Sequence, residues 1–301
     1  MRLIDCKMPR PVQKGSTFGL LSLCSPVEKD RLQSGIRYLV SQQCLVYPGK
    51  SVLAKRGYLA GYDEQRVADL HMLYGDTTIE GILASKGGYG SGRLLDKIDW
   101  RLLKENPKAF IGFSDITAFQ LALLQKTGLG SYYGPMVSVD MRHNMPDVAE
   151  QSFWKAVAGQ AQTLNGRSMQ PGKADGVLVG GCLSVLTSIM GSPYFPDMRG
   201  AILFLEEVGE APYRVDRHLN QLRLAGVFKK IAGLALGRFV HCTSNHKVAS
   251  QTNTPSVLRE LAKSMKVPVV SDLPFGHVRD KMTIPLGKPA TLDGGRGTLY
   301  C

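Results

Sequence analysis

The chain has 301 residues, 44% of them hydrophobic and 21% charged, and carries a formal net charge of +12. That is enough for two domains or one large α/β domain with a full core, which excludes a disordered or fibrous chain. No run approaches the ~20 apolar residues of a membrane span, and the N-terminal MRLIDCKMPRPVQKG has no apolar core followed by small residues, so a cytoplasmic protein with no membrane partner is expected.

In chain order, residues 17–23 (TFGLLSL) read as a strand closed by Ser25-Pro26, and 27–42 as a helix with Val27, Leu32, Ile36, Leu39 and Val40 at its apolar positions. Residues 44–47 form the next strand, 63–75 a helix stopping at Gly75, and 80–85 a further strand. A helix follows Gly92, and 109–113 (AFIGF) read as a buried strand. The helix over 115–126 aligns Ile116, Phe119, Leu123 and Leu124, with Asp115 in its first turn. Such alternation predicts a parallel, doubly wound α/β sheet, whose ligands sit at the carboxyl ends of the strands.

Periodicity fades between about 142 and 175, where turn residues gather around one helix over 149–159. Beyond it, short strands at 176–179, 201–206, 231–239, 268–273 and 290–292 surround one helix after Pro212, with Val215, Leu219, Leu222 and Leu224 as its apolar positions. The expected organisation is a doubly wound domain over 1–150, a connection over 151–175, and a smaller β-rich domain over 176–301.

The basic residues are spread along the chain with no aromatic interleaving. The charge therefore suits an anionic small substrate or a solvated surface rather than nucleic acid. The six cysteines (Cys6, Cys24, Cys44, Cys182, Cys242, Cys301) contain no C-x-x-C pair and read as reduced thiols. His241, Cys242 and His246 come nearest to a metal cluster but lack another ligand at zinc spacing, so no metal and no cofactor are expected.

Ser114 stands at the junction of the 109–113 strand and the helix that follows. A serine on such a turn has its hydroxyl pushed outward beside the N–H groups of the helix start, as in a nucleophile elbow; an N-cap serine without chemistry is the alternative. A nucleophile needs a base and an orienting acid. Of the six histidines, His71 and His218 fall in helical patterns, and His143, His241 and His246 in polar loops. His277 instead follows an apolar strand at Gly276, where a scaffold can display a base, although an ordinary loop histidine would look the same. Glu206 leaves the apolar strand 201–205, with Glu207 and Glu210 beside it; a solvated acidic turn is its alternative. Gly87-Gly88-Tyr89-Gly90 follows the 80–85 strand and frees backbone N–H groups to approach an oxyanion. It matches neither phosphate-loop spacing.

These segments together (SKGGYGSGRLL, IGFSDITAFQLAL, GPM at 134–136, GSPYFPDMRGAILFLEEVGEAPYRVDRHLNQL, LPFGH and IPLG, with RGYLAGYDEQRVADLH at 56–71) resemble the LD-carboxypeptidases of serine peptidase family S66. The resemblance spans nearly the whole chain in order. It implies a flavodoxin-like first domain, a β-rich second domain and a site between them with a Ser-Glu-His triad. By position the nucleophile falls on Ser114, the acid on Glu206 and the base on His277, with the backbone N–H groups of Gly88 and Asp115 as oxyanion donors. It also implies a homodimer, and a murein tetrapeptide that loses its terminal D-alanine in cell-wall recycling. A self-immunity peptidase acting on microcin C-type peptidyl nucleotides is the alternative within the family; a non-catalytic peptide-binding protein is the alternative outside it. Lys86 stands where the family usually has Arg, and Cys182 where it commonly has Asn. A thiol replaces an amide poorly in hydrogen bonding.

Overall fold

A computed structural model describes residues 6–141, 145–243 and 253–301. His143 and His246 lie outside the described residues. The first half alternates strands and helices: β1 (Thr17–Leu21), α1 (Lys29–Ser41), β2 (Leu45–Pro48), α2 (Asp63–Gly75), β3 (Gly81–Ala84), α3 (Trp100–Glu105), β4 (Ala109–Gly112), α4 (Thr117–Thr127), β5 (Ser131–Tyr133) and α5 (Asp147–Val157). The second half adds β6 (Thr163–Asn165), β7 (Arg167–Gln170), β8 (Lys173–Cys182), α6 (Leu183–Ser188), β9 (Ala201–Val208), α7 (Pro212–Leu224) and β10 (Gly233–Val240). It closes with α8 (Thr254–Ser264), β11 (Val269–Ser271), β12 (Ile284–Leu286), β13 (Pro289–Asp293) and β14 (Thr298–Tyr300).

The first sheet runs β2-β1-β3-β4-β5-β12, its first five strands parallel. The 2-1-3-4-5 order is that of a flavodoxin-like doubly wound sheet. Both faces are covered, so its strands are apolar on both sides and alternate residues serve different cores. Phe18, Leu20, Leu83 and Ile111 pack with α1 and α5. Leu21, Ile82, Phe110 and Tyr133 pack with α2 and α4, in a cluster that continues into Leu178, Leu203 and Leu236 of the second sheet. Each such buried aliphatic or aromatic side chain contributes roughly 1.5–3 kcal/mol, so the two sheets are joined by core rather than by a linker.

The second sheet runs β6-β14-β13-β8-β9-β10-β11-β7, parallel from β8 to β11 and antiparallel outside. Its parallel strands bring Glu206, near the end of β9, to the same edge as the ends of β10 and β11.

Several boundaries differ from the sequence reading. The 151–175 connection carries the end of α5 and then β6 and β7, strands of three and four residues at opposite ends of the second sheet. Both are largely exposed and too short to show alternation. The segment after Gly92 is a single 3-10 turn, Ser91–Leu94, with the α-helix delayed to Trp100, where Asp99 caps it by accepting from the N–H groups of Arg101 and Leu102. β12, although within 176–301, pairs antiparallel with β5 of the first sheet.

Candidate active site

β4 stops at Gly112, Phe113 stays extended, and Ser114 turns into the left-handed region at φ +66. For a residue with a Cβ that conformation costs roughly 1–2 kcal/mol and persists only where the surroundings hold it. Two hydrogen bonds and one gap do so. The Ser114 N–H donates to the Tyr133 hydroxyl at 3.2 Å. The Ser91 N–H donates to Asp115 Oδ2 at 2.8 Å. Gly87 leaves room: a Cβ there would lie 2.9 Å from Ser114 Cβ and 3.1 Å from its Oγ. The 3-10 turn Ser114–Ile116 then feeds α4.

Glu206 is fully buried. Its Oε1 accepts from the Tyr133 hydroxyl at 2.6 Å and its Oε2 lies 2.8 Å from His277 Nδ1. The other ring nitrogen, Nε2, is 2.9 Å from Ser114 Oγ. A carboxylate on Nδ1 holds the proton there and leaves Nε2 free to accept from the serine hydroxyl. Gly276, at φ +109, permits this approach, since a Cβ would fall 2.6 Å from Glu206 Oε2. The imidazole also sits edge-on to Phe113 at 4.9 Å. Lys281, four residues on and buried, forms an ion pair with Asp140 and lies 4.3 Å from the centre of the Phe113 ring, tying the His277 loop to the first sheet's side.

The rival acids are occupied elsewhere. Glu207 accepts from the Ser184 N–H at 2.7 Å and the Val208 N–H at 2.8 Å, and takes the Cys182 thiol at 3.5 Å. Glu210 pairs with Arg214 at 3.4 Å. His71 Nε2 accepts from the Asp99 N–H at 3.0 Å and His218 Nδ1 pairs with Thr187 Oγ1 at 2.7 Å. Burial, with Glu206 and Glu207 nearby, pushes the Cys182 thiol well up, so it stays protonated.

The glycine loop is fixed from behind. Arg66, wholly buried, donates to the carbonyls of Leu23 and Gly90 and pairs with Asp63 at 2.5 Å. The Ser25 N–H donates to the Gly87 carbonyl at 3.2 Å, and the Tyr89 N–H donates to Ser25 Oγ at 3.2 Å. Gly88, at φ +107, has no room for a Cβ, which would meet Ser25 Oγ at 2.2 Å. Among the described residues the N–H groups of Gly88 and Asp115 donate to no protein acceptor.

Tyr133 is the residue that sequence reasoning leaves out. It touches both the turn of Ser114 and the carboxylate of Glu206. Burial, with Glu206 beside it, raises its phenol well above the ordinary value and keeps it a donor. Chemically the set can deliver an activated hydroxyl, a proton acceptor oriented by a buried carboxylate, and two free N–H groups beside them, which is the equipment of acyl transfer. Among the described residues no helix is long and apolar enough to cross a membrane.

Known proteins match along the chain. Residues 18–134 match the LD-carboxypeptidase N-terminal domain and residues 175–292 the LD-carboxypeptidase C-terminal domain. A probable murein peptide carboxypeptidase of Bacillus subtilis is 33% identical over 296 residues, covering 96% of this chain and 92% of the relative. The crystal structure of a muramoyltetrapeptide carboxypeptidase from Oxalobacter formigenes superposes with a TM-score of 0.87 at 30% identity, over 95% of this chain and 97% of that one. The Escherichia coli microcin C7 self-immunity protein MccF is 26% identical, over 93% of this chain and 92% of its own.

Proposed function

The chain belongs to the LD-carboxypeptidase family, and we propose that it is a serine peptidase that releases the terminal D-alanine of murein tetrapeptides by cutting an L–D peptide bond. The observation that carries this reading is the unbroken relay from Ser114 Oγ to His277 Nε2 at 2.9 Å and from His277 Nδ1 to Glu206 at 2.8 Å.

In this mechanism Ser114 Oγ attacks the scissile carbonyl carbon while His277 Nε2 takes its proton. The oxyanion is held by the N–H groups of Gly88 and Asp115. The C–N bond then breaks as His277 returns the proton to the departing amine, leaving an acyl-serine ester. Water attacks that ester as His277 Nε2 takes its proton; the acyl–Oγ bond then breaks, His277 returns the proton to Ser114 Oγ, and the product acid leaves. Glu206 fixes the imidazole tautomer and stabilises the imidazolium; Tyr133 holds the carboxylate in place. The net charge of +12 suits a substrate bearing carboxylates. The same reading has the protein act as a cytoplasmic homodimer, which sedimentation at micromolar concentration checks.

The test is D-alanine release from a murein tetrapeptide by the parent, Ser114→Ala, His277→Ala and the double variant. Each single change lowers kcat by on the order of 10⁴–10⁶, and the double costs little more, because the residues act as one unit. A Ser114→Ala protein that folds normally and turns over near the parent rate ends the proposal. The similarity to MccF supports a second reading, cleavage of a peptidyl nucleotide. Parallel assay of an aminoacyl-sulfamoyl nucleoside separates the two by kcat/KM.

A further inference from the structure

The two N–H groups assigned to the oxyanion come from different loops, Gly88 after β3 and Asp115 after β4. To act as a pair, both must stand about 2.7–3.1 Å from the place the oxyanion will occupy. Neither loop sets that spacing alone. Ser91, which directly follows Gly90, joins them. It is fully buried; its N–H donates to Asp115 Oδ2 at 2.8 Å and its hydroxyl donates to the Asp115 carbonyl at 2.5 Å. Both bonds end on the residue that supplies the second donor.

Asp115 is buried as well, and its carboxylate serves the neighbouring loop rather than the helix it precedes, since α4 takes no side-chain cap at its start. A third link comes from the loop after β1, the strand on the other side of β3. Burial, with Asp115 beside it, raises the Cys24 thiol well above its ordinary value, so the thiol stays protonated and donates to that carboxylate. The next residue, Ser25, donates its N–H to the Gly87 carbonyl at 3.2 Å, and its Oγ accepts from the Tyr89 N–H at 3.2 Å. Cys24 and Ser25 thus hold the residues on both sides of Gly88 and the turn of the nucleophile together.

We propose that Ser91 is a positioning residue for the reaction, and that together with the Asp115 carboxylate it sets the spacing of the two oxyanion donors. This rests on the peptidase reading above. The Ser91 hydroxyl and the carboxylate act through the backbone of Asp115 and the glycine loop. A misplacement of about 1 Å can cost on the order of 10²-fold in rate, and loss of a whole oxyanion donor on the order of 10²–10³. Ser91→Ala removes the hydroxyl bond and keeps the bond from its N–H, so its effect falls below both, at about tenfold in kcat. The ground-state carbonyl carries less charge than the oxyanion, so KM should change little.

The test pairs D-alanine release with the affinity of a boronic acid probe, the murein tripeptide with boron in place of its C-terminal carboxyl carbon. Ser114 Oγ adds to the boron, His277 takes the hydroxyl proton, and the tetrahedral adduct puts a boronate oxygen where the oxyanion forms. Ser91→Ala should lower kcat and weaken the probe by the same factor of about ten, with KM within about twofold of the parent. Asp115→Ala, which removes the acceptor of both the Ser91 N–H and the Cys24 thiol, should cost about 10- to 100-fold in each. Asp115→Asn, which keeps an acceptor there, should regain most of that loss, and this comparison gives an independent reading should Ser91→Ala melt early. Thr127→Ala removes another buried hydroxyl, bonded to the Leu123 carbonyl at 2.6 Å at the far end of α4, and should change neither quantity. A structural contact alone would lower the melting temperature and leave the probe affinity of the folded protein at the parent value. Probe affinity that depends on Ser114 but is the same in Ser91→Ala as in the parent, or a KM that rises in step with it, overturns the inference alone. Probe affinity that survives Ser114→Ala overturns the peptidase reading, and the inference falls with it.

Discussion

Tyr133→Phe removes one oxygen and two hydrogen bonds at the centre of the site. One is the 2.6 Å bond to Glu206 Oε1, inside a fully buried environment; the other is the 3.2 Å bond that the Ser114 N–H donates. A hydrogen bond to a charged group contributes about 1.5–3 kcal/mol net, and an N–H left unpaired costs roughly 1 kcal/mol more at a half-buried residue. The expected loss of stability is therefore about 2–4 kcal/mol, a fall in melting temperature of roughly 3–6 °C for a chain of 301 residues. Glu206 keeps His277 but loses its second anchor, and the φ +66 turn of Ser114 loses one of its holders. Turnover should fall about 10- to 100-fold, between the parent and the Ser114 variant, with KM little changed. Thermal melts and D-alanine release on the same preparation measure both. A melting temperature within about 1 °C of the parent with full turnover refutes the role assigned to this hydroxyl. A lowered melting temperature with full turnover reduces it to a packing role.

Three other substitutions test further parts of the structure. Gly276→Ala places a Cβ 2.6 Å from Glu206 Oε2 at φ +109, so turnover should drop at least about tenfold. Gly209→Ala, at φ +75 with open space around it, should cost only about 1 kcal/mol of stability and no activity; equal effects on turnover would deny the contact its importance. Desolvation raises the Asp63 carboxyl, but hydrogen bonds from Arg93, Arg66 and Lys97 outweigh it and hold the group at about 2, below its ordinary 3.8. A depressed acid contributes stability that is present above its unfolded value and lost as pH falls through its folded one. The parent should thus lose about 1–2 kcal/mol between roughly pH 4 and pH 2, allowing for the exposure of Arg93 and Lys97. Asp63→Asn should show its deficit above pH 4 and converge on the parent below that; a constant deficit at all pH values would contradict the assignment.

Ser114, Glu206 and His277 are legible in the sequence for one reason. Each lies close to the carboxyl end of an apolar strand, with Ser114 two residues past β4, Glu206 two short of the end of β9 and His277 six past β11, and a strand end is a local signal of composition and turn residues. Tyr133 is not legible in that way. Its strand is the three residues Ser131–Tyr133 between Gly130 and Gly134-Pro135, and its partners lie 19 and 73 residues away. β12, with Pro285 inside three residues, is invisible for the same reason, as are the exposed edges β6 and β7. α8 is a different case. Asn253 caps it by accepting from the Ser256 N–H, and Val257, Leu258, Leu261 and Ala262 follow at helical spacing. The signal is present there, while the sequence reading places no element over 254–264.

The position of β12 explains how two sheets set a distance as short as that between Ser114 and His277. The chain leaves the second sheet at β11, passes Gly276 against Glu206, presents His277, and reaches β12 in the first sheet at Ile284. This loop is the physical bridge between the sheets, and it is fastened at both ends. At one end His277 bonds to Glu206 of β9. At the other, Lys281 pairs with Asp140, the Thr283 N–H donates to Ser152 Oγ at 2.9 Å, and the Thr283 carbonyl accepts from Gln162 Nε2 at 2.6 Å. Ser114 is fastened in turn to β5 through Tyr133, the strand that β12 pairs with. The serine and histidine are thus referenced to neighbouring strands of one sheet, although the carboxylate between them comes from the other. Relative movement of the sheets would strain the Glu206 contacts before it separated Ser114 from His277. The doubly anchored, fully buried carboxylate is therefore the part of the site most dependent on how the two halves pack.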